Sequence, residues 1–344
     1  MNRAIQLGAN ALGTAAPNPM VGAVVVYRDR IIGEGFTSPY GGPHAEVNAI
    51  ASVRERELLP EATLYVTLEP CSHFGKTPPC ADHIIKHAIP EVVIGIRDPH
   101  EKVGGKGIQR LEEAGCKVRL GVLEAACREH HRRFLCFHEK KRPYIILKWA
   151  QSPDGFLAPD KDMRQDKRRP FWISNTFSRR LVHQWRSQEQ AILVGSTTVL
   201  DDNPQLNTRD WKGKSPLRII LDRDLSVKGD AHVLDRTVKT LFFTAINDPS
   251  QYQEGIAYDL MDFEAPQLAS RICERLHGLD LCSLIVEGGA RTLQTFIDEG
   301  LWDEARIFSG AGYFGGGLEA PRIHGREWER KPIGDNILSI LRHD

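Results

Sequence analysis

The chain has 344 residues, enough to bury a large core and to divide into two domains. Lysine plus arginine equals aspartate plus glutamate at 45 each, and neither half carries a basic excess, which argues against a nucleic-acid partner. With 41% hydrophobic and 26% charged residues, no low-complexity tract and no run of about 18 apolar residues, neither a disordered nor a membrane-spanning chain is expected.

The N-terminal stretch "MNRAIQLGANALG" lacks the long apolar core of a signal peptide, so the expectation is a cytoplasmic protein acting on small molecules, with no membrane partner. Residues 3–13 read as a helix. "MVGAVVVYRDRIIGEGF" gives two β-branched runs about Arg28-Asp29-Arg30, a hairpin. "HAEVNAIASV" is then a short helix, "TLYVTL" a buried strand, "CADHIIKHAI" a helix, "EVVIGI" a strand and "IQRLEEAG" a helix stopped by glycine. Strands and helices alternate, which is the pattern of an α/β layered domain. "LEAACREHHRRFLCFHEKKRP", residues 123–143, reads as one helix ending in a basic cluster. Because proline and a new strand follow, the domains are predicted to span 1–140 and 143–344. The second half alternates again: "YIILKWA", a helix near 175–188, "AILVG", "LRIILD", "TLFFT", a helix near 266–277, "LIVEGG", a helix to about 299 and "DEARIFS". Apolar sheet edges in two small domains make a homo-oligomer the expectation.

Chemistry concentrates in "GGPHAEVNAI" and "PCSHFGKTPPC". A disulfide between Cys71 and Cys80 is disfavoured by a reducing compartment and by the odd total of seven cysteines; the other five read as packing residues. His44, Cys71 and Cys80 supply one imidazole and two thiolates, a set suited to zinc, with a fourth position left for water. A closed structural zinc would need another ligand, for which His73 is the obvious candidate. His44 and Cys80 both follow prolines at helix starts, where the backbone dipole favours thiolate. Glu46, two residues past His44, lies about 200° around a helix from it. That position is poor for a co-ligand but suits a general acid/base that takes a proton from water and returns protons to leaving ammonia.

These segments, with "PNPMVGAVVV" at 17–26, closely resemble the deaminase half of the bifunctional RibD family of riboflavin biosynthesis, which shares the wide Cys-x8-Cys spacing. "RPYIILKWAQSPDG" at 142–155, "AILVGSTTVLDDNPQL" at 191–206 and "LIVEGGARTL" at 284–293 resemble its reductase half. The resemblance implies a three-layer cytidine-deaminase-like domain followed by a dihydrofolate-reductase-like α/β domain. It implies zinc on His44, Cys71 and Cys80, proton transfer by Glu46, and substrate contacts from Asn18 and Lys76. The reaction it implies is deamination of 2,5-diamino-6-(5-phosphoribosylamino)pyrimidin-4(3H)-one, followed by NADPH reduction of the ribosyl group.

The second site has no G-x-G-x-x-G after a strand, so nicotinamide binding is not legible from spacing. What is legible is a strand, "LIVE", ending in Gly288-Gly289 before a helix, where phosphate can approach backbone N–H groups. By resemblance, Ala150, Trp172, Thr198, Asp202 and the stretch Gly289, Ala290, Arg291, Thr292, Leu293, Gln294, Thr295 contact NADPH. Arg186, Leu206, Arg209 and Glu287 contact substrate, the two arginines as a phosphate clamp. Pro170 and Arg223 stand where the family usually has serine. The alternative function is a zinc nucleobase or nucleoside deaminase whose second domain only binds nucleotide.

Overall fold

The computed structural model describes residues 1–72, 78–99, 104–160 and 171–343. The chain divides into two compact units, Met1–Arg142 and Pro143–Asp344. Lys76, His73 and Pro170, singled out above, lie outside the described residues.

The first unit opens with α1 (Asn2–Gly8), then the hairpin of β1 (Gly22–Tyr27) and β2 (Arg30–Phe36). Arg28 and Asp29 both take positive φ, 45° and 61°, the geometry a two-residue hairpin turn requires. There follow α2 (Ala45–Ala51), β3 (Thr63–Leu68), α3 (Cys80–Lys86), β4 (Glu91–Ile96), α4 (Lys106–Glu113), β5 (Lys117–Leu120), α5 (Glu124–His130) and α6 (Arg132–Glu139). The sheet order is β2-β1-β3-β4-β5; β1 is antiparallel to both β2 and β3, whereas β3, β4 and β5 run parallel. The period-2 alternation of β1 sorts its side chains. Ala23 and Val25 join the core under α2, α3 and α4, while Val24 faces Ala4 and Leu7 of α1. Helices therefore cover both faces, giving three layers.

The expected single helix over 123–143 is two, broken at His131. His131 is buried, its Nε2 lies 3.0 Å from Thr67 Oγ1, and the same hydroxyl accepts the Gly22 N–H. That interior contact takes precedence over continuing the helix.

The second unit contains β6 (Tyr144–Gln151), β7 (Phe156–Ala158), α7 (Thr176–Gln188), β8 (Ala191–Gly195), α8 (Ser196–Asp202), β9 (Leu217–Leu221), β10 (Thr240–Thr244) and β11 (Ala257–Leu260). It continues with α9 (Leu268–Gly278), β12 (Ser283–Val286), α10 (Ala290–Asp298), β13 (Glu304–Ser309), β14 (Leu318–Glu319), β15 (Arg326–Ile333) and β16 (Asn336–Arg342). Its nine-stranded sheet has the order β11-β10-β9-β8-β12-β6-β13-β16-β15, parallel up to β13 and antiparallel over β16 and β15. Leu193 and Phe243 point to the core under α9 and α10, whereas Ile192 and Phe242 point to a second core with Val199 and Leu206. From β6 the chain steps out to β8 and on to β11, then returns to lay β12 between β8 and β6. That reversal leaves a crevice beyond the carboxyl ends of β6, β8 and β12, where open α/β sheets place their ligands.

Candidate active sites

In the first unit, the chain leaving β3 and the starts of α2 and α3 converge. Cys71 lies three residues past the last residue of β3, Cys80 is the first residue of α3, and His44 caps α2. His44 Nδ1 lies 3.7 Å from Cys71 Sγ and 3.3 Å from Cys80 Sγ, and all three donor atoms fall within 4.8 Å of one another. A tetrahedral ion with Zn–N of about 2.0 Å and Zn–S of about 2.3 Å would hold nitrogen and sulfur about 3.5 Å apart, so the spacing fits zinc. Further support comes from the Cys80 backbone N–H, which donates to Cys71 Sγ at 3.3 Å. The hydrogen bond from Cys80 and the facing imidazole pull the Cys71 thiol down to about 4. Cys80, hydrogen-bonded to that thiolate and buried, is held well above the usual thiol range.

Glu46 sits in the first turn of α2 with only 3% of its surface exposed. Burial, reinforced by the Cys71 thiolate, pushes its carboxyl up to about 7, and the Cys80 side chain is its hydrogen-bond partner. The helical-wheel angle does not hold between His44 and Glu46, because the cap residue is extended, at φ −76° and ψ 168°. The extended cap brings both side chains to the same place. Asn18 lies in the loop before β1, and among the described residues its side chain makes no hydrogen bond.

In the second unit a cavity of about 510 Å³ occupies the crevice at the strand ends. Ala150, Trp172, Thr198, Asp202, Arg186, Leu206, Arg209 and Glu287 all line it. The 289–295 stretch stands beside it rather than in its lining. Gly289 caps α10 at φ 41°, and a side chain there would start 3.4 Å from Thr198 Oγ1. Arg186 forks onto Glu287, with Nε–Oε1 3.0 Å and Nη2–Oε2 2.7 Å, and Nη1 also donates to the Asn207 carbonyl. The sequence reading missed Lys148, whose ammonium lies 3.6 Å from the same carboxylate. A lone cation in the apolar run "YIILKWA" was the available signal. Burial drives the Glu287 carboxyl up, but Arg186 and Lys148 outweigh it and hold the group at about 2. Arg223, in contrast, is engaged with Glu264 and Asp224 at the surface.

Two family models match, one in each unit: the cytidine and deoxycytidylate deaminase zinc-binding region over residues 1–96 and the RibD C-terminal domain over residues 143–332. The riboflavin biosynthesis protein RibD of Aquifex aeolicus is 39% identical over 92% of this chain and 88% of its own length. That of Bacillus amyloliquefaciens is 39% identical over 96% and 88%. The chain belongs to the RibD family. Among solved structures, a diaminohydroxyphosphoribosylaminopyrimidine deaminase/5-amino-6-(5-phosphoribosylamino)uracil reductase from Thermotoga maritima superposes with a TM-score of 0.90 at 37% identity, covering 100% of this chain and 97% of that one. RibD from Acinetobacter baumannii gives 0.89 at 29%, with the same coverage. Like other RibD chains, this one is a bifunctional enzyme of riboflavin biosynthesis, with a zinc-dependent deaminase domain and an NADPH-dependent reductase domain. No helix among the described residues is long and apolar enough to cross a membrane.

Proposed function

We propose that the first unit removes the exocyclic amine at position 2 of 2,5-diamino-6-(5-phosphoribosylamino)pyrimidin-4(3H)-one, and that the second reduces the ribosyl group of the product to ribityl. The observation that carries the first step is the spacing of one imidazole and two sulfurs around a common point, with a buried carboxyl alongside. His44, Cys71 and Cys80 hold zinc, which supplies Lewis acidity to make water nucleophilic near neutral pH. Glu46 would move the protons: its carboxyl takes the two protons of the attacking water in turn, passing one to the ring nitrogen and the other to the amine, which leaves as ammonia as the ring carbon becomes a carbonyl. A buried carboxyl in hydrogen-bond contact with Cys80 is placed to do both. Asn18 and Lys76 complete the substrate contacts, the first on the pyrimidine edge and the second on the phosphate.

Ala150, Trp172, Thr198 and Asp202, which line the cavity of the second unit, and the start of α10 beside it would hold NADPH, which when bound would supply hydride. Arg209 meets the substrate phosphate with Arg186, whose guanidinium is anchored by Glu287 and the Asn207 carbonyl. We further propose a cytoplasmic homo-oligomer, in keeping with the open edge strand β15 and its exposed Trp328. Light scattering at a multiple of 38.6 kDa would support assembly, and a mass of 38.6 kDa would refute it.

The deciding assay reads ammonia and NADPH separately on the purified chain, with zinc quantified. Glu46→Gln is expected to keep its zinc and its NADPH oxidation on deaminated substrate, while ammonia release falls at least a hundredfold. Ammonia release at the wild-type rate in that variant would remove Glu46 from the mechanism.

A further inference from the structure

Glu69 lies between the end of β3 and Cys71, is 3% exposed, and has no role in the chemistry above. Its carboxylate accepts four backbone N–H groups. Oε1 takes those of Gly107 at 2.9 Å and Ile108 at 3.2 Å, and Oε2 takes those of Gly105 at 3.0 Å and Asp98 at 3.2 Å. Three of the four belong to the start of α4, whose amides would otherwise be unpaired, and the fourth to the chain leaving β4. The approach is close: a Cβ on Gly107 would sit 2.0 Å from the Pro70 carbonyl oxygen. On the other side, Cys71 is fixed to α3, since its carbonyl accepts the Ala81 N–H at 3.1 Å and its sulfur accepts the Cys80 N–H.

We infer that Glu69 is a positioning residue of the metal centre, clamping the Pro70-Cys71 segment to α4 so that the Cys71 sulfur is held at the point where His44 and Cys80 meet. The segment is pinned between two helix starts, α4 through Glu69 and α3 through Cys71 itself. Charge suits the arrangement, because a carboxylate at a helix N-terminus is stabilised by the backbone dipole and by charge-assisted hydrogen bonds. Glutamine cannot replace it. An amide offers one acceptor oxygen and turns its NH2 towards two backbone donors. Gly107 is the other half of the clamp, since any side chain there pushes Pro70 away.

This inference rests on the zinc reading of His44, Cys71 and Cys80, and its test separates the two. Transfer of zinc from the full chain to a chromogenic chelator is followed for wild type, Glu69→Gln and Gly107→Ala. Hydrogen exchange at residues 105–108 is measured with and without zinc. Both variants are expected to release zinc at least tenfold faster than wild type, the size typical for loss of outer support at a metal site. Excess zinc should restore their deamination, and reductase activity should be unchanged. In wild type, zinc should slow exchange at 105–108, and Glu69→Gln should abolish that protection. A variant that melts earlier yet releases zinc at the wild-type rate would show a purely structural role and overturn the inference. A wild-type chain that retains no zinc would overturn the metal reading, and this one with it.

Discussion

Glu287 shows how one buried side chain acquires a fixed charge. The end of β12 carries it into a crevice where only 6% of its side chain is exposed, a position that would normally favour the neutral acid. Arg186 and Lys148 reverse that preference and bring its pKa to about 2, against an ordinary 4.5. A carboxylate depressed on folding stabilises the native state fully above its unfolded pKa and loses that contribution as pH falls through the folded value. The window therefore runs from about pH 4.5 down to about 2, and the contribution is about 3 kcal/mol. Glu287→Gln should lower the unfolding temperature of the reductase unit at pH 7, because two buried cations lose their counter-ion. Its stability should also vary less than wild type's between pH 5 and 3. Calorimetry at both pH values checks this, and parallel acid limbs in the two proteins would show that Glu287 carries no such charge.

At the level of elements, what the sequence reveals depends on whether an element's partners leave a pattern in it. β1, β3, β4, β6, β8, β9, β10, β12 and β13 are apolar runs buried along most of their length, which makes them legible as strands, whereas β2, an edge strand exposed at both ends, was legible through its hairpin with β1. β5, with the sequence Lys117-Val118-Arg119-Leu120, sits at a sheet edge with three of its four residues exposed, so its charges hide it. β15 behaves likewise, with exposed residues interleaved along its whole length, and β16 went unread beside it. The metal trio was legible because its residue types are rare and chemically specific. The Lys148–Glu287–Arg186 cluster was only partly so, because pairing across 101 residues in sequence leaves no local trace. α10 gives the test at this scale. Its cap, Gly289, has φ 41°, which a β-branched residue adopts only with strain of about 1–2 kcal/mol. Gly289→Val should weaken NADPH binding at least tenfold by fluorescence titration, with ammonia release unaltered. Unchanged NADPH affinity would take the start of α10 out of the nucleotide site.

In the whole molecule, each unit closes its own sheet: the five strands β1 to β5 lie within Met1–Arg142, and the nine-stranded sheet lies within Pro143–Asp344. Each also carries its own chemistry: sulfur and imidazole in Met1–Arg142, a cation-flanked carboxylate and a cavity in Pro143–Asp344. Two consecutive steps on one chain therefore use separate machinery, and removing one should spare the other. Zinc is the cleanest way to separate them, because its proposed ligands are all in the first unit and the second offers no comparable group among the described residues. Stripping the metal with a chelator, or replacing Cys80 with serine, should abolish ammonia release. NADPH oxidation on substrate that has already been deaminated should stay within about twofold of wild type. Cys80→Ser should not recover when zinc is restored, whereas the stripped wild type should, since serine is a much poorer zinc ligand than a thiolate. Loss of NADPH oxidation on metal removal would show that the second unit depends on the first for more than its substrate.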